Sequence, residues 1–187
     1  MHSLELPMIG RLAHAMIRPA VEDDFVRIAA IYEHYVLTST ATFEVTPPSP
    51  VELAKRARDV LSFGGPYLVA ASPQGVLGYA YAGMYRARAA YRLTVENTVY
   101  VAPEHLGQGV GKALLGAIIA ECERGGFAEM VAVIGGEVEN RASIRLHESC
   151  GFAHAGTLRR VGNKFGRWLD TVLMQRGLSA GAAPHGR

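Results

Sequence analysis

The stretch His105-Leu106-Gly107-Gln108-Gly109-Val110-Gly111-Lys112-Ala113-Leu114-Leu115 decides the reading of this chain, because three glycines at alternate positions lead straight into an amphipathic segment. Glycine lets a backbone take positive φ and come close to a ligand. The first turn of a helix offers unpaired N–H groups and a partial positive charge to an anion. The turn therefore reads as a phosphate cradle, with a plain flexible loop before a helix as the alternative. Two other glycine-rich turns are excluded by position. A Walker A loop needs glycine where Leu106 stands and Ser or Thr where Ala113 stands, and a dinucleotide fingerprint needs glycine at Lys112 or at Leu114.

The flanks favour the cradle. Leu93, Val95, Val99 and Val101 alternate with Thr94, Glu96, Thr98 and Tyr100, the period of a half-buried strand. After the turn, Val110, Leu114, Ile118 and Cys122 recur every four residues with Leu115 and Ile119 beside them, one apolar helical face that Gly125-Gly126 brings to an end. Further on, Asn140, Ser143 and His147 stand at i, i+3 and i+7 of a second helical pattern closed by Gly151. They form a polar stripe beside Ala142, Leu146 and Cys150.

These segments resemble a known family. Leu106-Gly107-Gln108-Gly109-Val110-Gly111 is similar to the R/Q-x-x-G-x-G/A pyrophosphate loop of the GNAT (Gcn5-related) N-acetyltransferases, with Leu106 replacing the usual Arg or Gln. Asn140-Arg141-Ala142-Ser143-Ile144-Arg145-Leu146-His147-Glu148-Ser149-Cys150-Gly151-Phe152 is similar to that family's later helix and following strand, with His147 in the place of a tyrosine. Within the family the chain looks like the phosphinothricin/methionine sulfoximine acetyltransferase branch. The likeness runs through Thr40-Ala41-Thr42-Phe43-Glu44, Arg86 and Arg88, Tyr91 to Val101, Gly156-Thr157-Leu158-Arg159 and the Gly162-x-Lys164-x-Gly166-x-Trp168-x-Asp170 run, roughly Met16 to Leu178 in all.

The resemblance implies an α/β (α+β) GNAT fold, a central mixed, mostly antiparallel twisted sheet of about six to seven strands flanked by about four helices. It implies acetyl-CoA as co-substrate, no metal, and transfer of an acetyl group to the amino group of a small amino acid or analogue. Phosphinothricin, methionine sulfoximine and methionine sulfone are the acceptors of that branch. The cofactor would lie on Gly107, Gln108, Gly109, Val110, Gly111 and Lys112, with the backbone of Val99, Tyr100 and Val101 supplying a donor for the developing oxyanion and Asn140 orienting the cofactor arm. An amine near neutral pH is mostly ammonium, so a base is needed, and Glu96 takes that role by position. His147 would protonate or stabilise the leaving thiolate, or touch the substrate. Arg86 and Arg88 would fork onto an anionic group of the acceptor, and Phe43 and Glu44 would wall its pocket. Lys164 and Trp168 read as structural or as a subunit contact, and the branch implies a homodimer. A peptide N-terminus or a polyamine remains an alternative acceptor, and a CoA-binding sensor without turnover is the non-enzymatic alternative.

Composition fits one compact domain: 187 residues, 49% hydrophobic and 19% charged, enough to bury a core. A net charge of +2 with dispersed basic residues argues against nucleic acid. Cys122 and Cys150 have neither disulfide nor zinc spacing and read as reduced core residues. No uninterrupted signal-peptide core and no run of about 18 apolar residues is present, so no membrane association and a cytoplasmic setting are expected. Residues 1–14 are expected as a flexible extension and 179–187 as a flexible tail around a single domain at 15–178. Strands are expected at Ala15–Pro19, Tyr67–Ala71, Val76–Tyr85, Leu93–Val101, Ala128–Ile134, Ala153–Val161 and Arg167–Gln175. Helices are expected at Val21–Leu37, Pro50–Leu61, Val110–Arg124 and Asn140–Cys150, on both faces of the sheet.

Overall fold

The computed structural model describes residues 15–136 and 138–179; the expected N-terminal extension and most of the expected tail lie outside them. In chain order the elements are β1 (Met16–Pro19), α1 (Phe25–Thr38), α2 (Pro50–Ser62), β2 (Tyr67–Ser72), β3 (Gly75–Met84), β4 (Thr94–Val101), α3 (Val110–Arg124), β5 (Glu129–Gly135), α4 (Arg141–Ser149), β6 (Ala153–Lys164) and β7 (Arg167–Gly177). The strands form one seven-stranded sheet in the order β1-β2-β3-β4-β5-β7-β6. Every pair is antiparallel except β4 with β5. The architecture is the mixed, mostly antiparallel α/β sheet with four α-helices that the sequence led us to expect.

Two apolar clusters cover the two faces. α3 buries Val110, Leu114, Leu115, Ile118, Ile119 and Cys122 against β3, β4 and β2, the face that the four-residue spacing marks in the sequence. Each such side chain contributes on the order of 1.5–3 kcal/mol when fully buried. On the opposite face α1 and α2 pack Phe25, Ile28, Ile31, Tyr32, Val36 and Leu53 onto Tyr67, Val69 and Tyr79. Ser49 caps α2 by accepting from Glu52 N at 3.2 Å, and Pro50 occupies its first turn, where a missing N–H costs nothing.

The boundaries differ where side chains intervene. The helix expected from Val21 begins at Phe25 after a 3-10 turn at Glu22–Asp24. The Asp24 carboxylate accepts from Val21 N at 2.8 Å and from both terminal nitrogens of Arg18, tying the helix entry to β1. Leu93 precedes β4 and is exposed, its carbonyl accepting from Ala128 N and Glu129 N. β6 runs on to Lys164 through a register shift between Leu158 and Gly162. Cys122 is buried as expected, whereas Cys150, at the end of α4, is only partly so; both are free thiols. Gly177 still belongs to β7, Leu178 is buried with its N–H on Ala128 O, and Ser179 bonds Glu123, so the chain is held in place through Ser179.

Candidate active site

The site grows from one irregularity in the sheet. β4 and β5 pair from Thr94–Glu129 to Asn97–Ala132 and then stop, although β4 stays paired with β3 as far as Val101 and β5 with β7 as far as Gly135. Beyond Asn97 the two central parallel strands therefore part. The facing edges of Thr98–Val101 and Val133–Gly135 keep backbone donors and acceptors that no neighbouring strand uses. The fork opens into a cavity of about 700 Å³ that runs to the N-terminus of α3. No periodicity in the sequence marks such a parting, because each strand keeps its alternation on both sides of it.

At the mouth lies the glycine turn. Gly107 (φ +71°) and Gly109 (φ +86°) occupy the left-handed region, and a Cβ on Gly107 would meet nothing, so this bend demands conformational freedom rather than space. Gly111 has a different reason: its Cβ would lie 3.3 Å from Leu146 Cδ2 and 3.5 Å from Val101 Cγ2, where α3, α4 and β4 converge. Gly109 caps α3 without a side-chain bond, which leaves the N–H groups of Val110, Gly111 and Lys112 without intrahelical acceptors. Gly107, Gly109, Val110, Gly111 and Lys112 line the cavity. Gln108 does not, its side chain donating instead to Glu104 O at 3.0 Å, and Leu106 lines the rim with much of its side chain exposed. A left-handed glycine turn, a bare helix N-terminus and an adjoining slot between strands fit a diphosphate carrying a long arm.

Glu96 sits on β4 just before the fork, half-buried, and faces the side of the sheet covered by α1 and α2. Burial raises its pKa above the usual carboxylate range, and nearby Arg86 opposes that shift. The same side of the cavity carries Tyr32, Tyr35, Tyr81 and Tyr100. Tyr100 packs at 5.1 Å from Tyr32 and 5.0 Å from Tyr35 between ring centroids. Of these only Tyr100 was singled out from the sequence. The pairs Tyr32/Tyr35 and Tyr79/Tyr81, at i, i+3 in α1 and i, i+2 in β3, were the available signal.

Phe43 lines the cavity, its ring wedged between β5 and β6 at two residues without Cβ: an added Cβ would fall 2.6 Å from the ring at Gly135 and 2.2 Å at Gly162. Glu44 turns away, accepting from Tyr32 Oη at 2.9 Å and Arg56 Nη1 at 2.7 Å, and so braces the loop that holds Phe43. Lys164 fastens the same loop, donating from a buried Nζ to Ser39 O at 2.7 Å and Thr42 O at 2.8 Å; burial lowers its pKa. Asn140 donates to Thr40 Oγ1 at 3.1 Å and to Gly135 O, so its side chain joins that loop to the end of β5. Arg86 and Arg88 lie in the exposed segment between β3 and β4 and do not line the cavity; Arg86 stacks over Tyr85.

His147 is the buried residue of α4 and lines the cavity on the α3 side of the sheet. Its Nδ1 lies 2.8 Å from Ser143 O, its Nε2 2.9 Å from Asn97 Nδ2, and its ring meets Phe152 edge-on. Burial lowers its pKa and the Ser143 carbonyl partly restores it. Both ring nitrogens are thus engaged, and burial favours the neutral imidazole. Asn97 went unremarked in the sequence although it is a polar residue at an inward position between Val95 and Val99, which was its signal. Among the described residues no cluster of three or more His, Cys, Asp or Glu side chains is placed to hold a metal ion.

Comparison with known proteins agrees with this geometry. The chain is 52% identical over 165 residues, 88% of its own length and 83% of the relative's, to the phosphinothricin N-acetyltransferase of Alcaligenes faecalis. It is 44% identical over 170 residues, 90% and 97% of the two chains, to the L-methionine sulfoximine/L-methionine sulfone acetyltransferase of Salmonella typhimurium. Its structure superimposes with a TM-score of 0.86 at 44% identity, covering 93% and 94% of the two chains, on a GNAT superfamily phosphinothricin acetyltransferase from Sinorhizobium meliloti in complex with AcCoA. Residues 28–152 match the model of the acetyltransferase (GNAT) family, and with the forked sheet and glycine turn in place the chain belongs to that family.

Proposed function

We propose that the protein moves the acetyl group of acetyl-CoA to the amino group of a small amino acid or analogue of the phosphinothricin, methionine sulfoximine or methionine sulfone type. The observation that carries this reading is the fork between β4 and β5, which connects a diphosphate-sized cradle at α3 to a buried carboxylate, Glu96. Acetyl-CoA supplies an activated acetyl group on a sulfur leaving group. The main chain of Gly107–Lys112 holds its diphosphate, with Gln108 taking part through its backbone only. Along the free strand edge at Val99, Tyr100 and Val101 the N–H groups of Val99 and Val101 face the slot, that of Tyr100 facing β3, and there charge on the acetyl oxygen is stabilised.

Glu96 removes the proton from the incoming ammonium, directly or through water, and burial, by raising its pKa, makes the carboxylate a stronger base. The tyrosine-lined side of the cavity and Phe43 shape the acceptor pocket. Arg86, close enough to Glu96 to lower its pKa, and Arg88 on the same exposed segment meet an anionic group on the acceptor. Asn140 braces the Thr40 loop against β5 and thereby shapes the cavity wall. His147 faces the cofactor side of the cavity, where it responds to negative charge left on the sulfur.

Residues 15–178 act as one catalytic domain on this reading. The exposed apolar residues Leu158, Val161, Phe165 and Trp168 on the β6–β7 hairpin favour a homodimer, checked by analytical ultracentrifugation. No helix among the described residues is long and apolar enough to cross a membrane. A cytoplasmic location is proposed and is checked by cell fractionation. The activity is tested by thiol release from acetyl-CoA with phosphinothricin, methionine sulfoximine, methionine sulfone, spermidine and a short peptide. Turnover confined to the peptide or the polyamine overturns the choice of acceptor.

A further inference from the structure

Asn97 is 6% exposed and lines the cavity, and its Oδ1 is buried without a hydrogen-bond partner. An unpaired carbonyl of this kind costs on the order of the desolvation of one polar group, so its place beside His147 calls for a reason. The bond between the two side chains has a fixed direction. Ser143 O can only accept, so Nδ1 of His147 carries a hydrogen, and in a neutral ring Nε2 must then accept from Asn97 Nδ2.

A carboxamide has a second orientation of the same shape. Turned by half a rotation about its last torsion, it presents Oδ1 to Nε2, which must then carry a proton of its own, and the ring becomes an imidazolium donating from both nitrogens. One amide atom is left unpaired either way, Oδ1 in the first state and Nδ2 in the second. Burial of the amide therefore opposes neither orientation more than the other, and it is the charge on the ring that burial disfavours.

We propose, on the functional reading above, that Asn97 is a positioning residue whose amide turns with the charge state of His147. By turning, it allows that ring to become positive in the cavity wall on the side where the sulfur anion departs. Leucine at this position supports neither state, and aspartate supports only the charged ring. Among the described residues no other ionisable side chain hydrogen-bonds His147, although His105 and Lys112 also line the cavity. On β4 Glu96 faces the opposite side of the sheet, on β5 the ionisable Glu129 lies at the far end of the strand, on α4 Arg145 and Glu148 are exposed, and the contact from beyond α4 is the Phe152 ring. Burial and the Ser143 carbonyl are the influences on His147 itself.

The test is the proton affinity of His147 in the free enzyme, followed by NMR on ring-labelled histidine, with the resonance assigned by its loss in His147→Phe. A turning amide bonds the ring in both states but bonds the imidazolium more strongly, so Asn97→Leu should bind the proton about three- to tenfold less tightly than wild type, the excess of a hydrogen bond to a charged group over one to a neutral group, and Asn97→Asp more tightly. An amide fixed as in the structure stabilises the neutral ring, so Asn97→Leu would bind the proton more tightly, and that sign overturns the proposal. Should either variant not fold, the wild-type Asn97 side-chain amide protons decide. They should shift with the same midpoint as the His147 ring, and amide resonances that stay still through the titration refute the turning amide. None of these readings depends on turnover, so loss of acetyl transfer would count against the proposed function alone.

Discussion

Replacing Gly162 by alanine tests how the acceptor side of the cavity is built. The new Cβ would stand 2.2, 2.4 and 2.8 Å from three atoms of the Phe43 ring. Packed carbons sit about 3.5–4.0 Å apart, so the ring must retreat by more than about 1 Å. It cannot do so toward β5, because Gly135 meets the other ring edge there with no room for even a Cβ. The remaining direction is into the cavity that Phe43 lines.

Overpacking of this kind costs about 1–3 kcal/mol, and for a chain of this size each kcal/mol lowers Tm by roughly 2–4 °C. The intruding ring should raise KM for the acceptor while the dissociation constant for CoA, set at the distant glycine turn, stays at its wild-type value. The assay pairs thermal denaturation with acceptor kinetics and CoA calorimetry for Gly162→Ala, Phe43→Ala and the double variant. A steric origin requires strong coupling, since Phe43→Ala removes the clash and the double variant should be no less stable than Phe43→Ala alone. Purely additive losses, or a Gly162→Ala enzyme with unchanged stability and acceptor KM, would refute the reasoning.

Four further variants follow from the same geometry. Glu96 is held above its ordinary pKa, so kcat/KM for the acceptor should fall as pH drops through that raised value. Arg86→Gln, which removes the opposing cation, should move the midpoint higher in a pH-rate profile. A carboxyl whose folded pKa is raised stabilises the fold below its unfolded pKa of about 4.3 and loses that contribution as pH rises through the folded value. Glu96→Gln should accordingly abolish the pH dependence of turnover yet raise Tm at neutral pH with no gain near pH 4, as scanning calorimetry would record. Lys164→Met leaves the carbonyls of Ser39 and Thr42 without their donor, at about 1–3 kcal/mol for each that remains buried; chemical denaturation and an elevated acceptor KM at constant CoA affinity are the readouts. Gly107→Ala places a side chain at φ +71°, a strain of roughly 1–2 kcal/mol, and CoA affinity measured by calorimetry should weaken severalfold without any change in the acceptor pocket.

Much of the frame is local in origin and could be read along the chain. The strand before the turn, the glycines themselves and the apolar face of α3 appear in the sequence because period and backbone freedom are properties of neighbouring residues. That Glu96 lies on the face opposite Val95 and Val101 followed from strand alternation, and the structure covers those valines with α3. The start of α1 was displaced because the side chains of Asp24 and Arg18, six residues apart, capture its entry, a contact that no helical period contains. Asn97 was legible as a polar interruption of an apolar alternation. Its partner His147 could not be paired with it from sequence, since fifty residues separate them.

The sequence alone determined the family resemblance, the phosphate cradle and the succession of elements, all of which rest on short-range spacing and on residue types that a local conformation requires. Tertiary structure alone decided where β4 and β5 part, how Gly135 and Gly162 make a slot for Phe43, that Gln108 and Glu44 bond elsewhere than in the cavity, and that Arg86 and Arg88 do not line it. It also closed both nitrogens of His147. These depend on which distant backbones meet and how closely, a matter of packing and hydrogen-bond partners that local spacing does not encode.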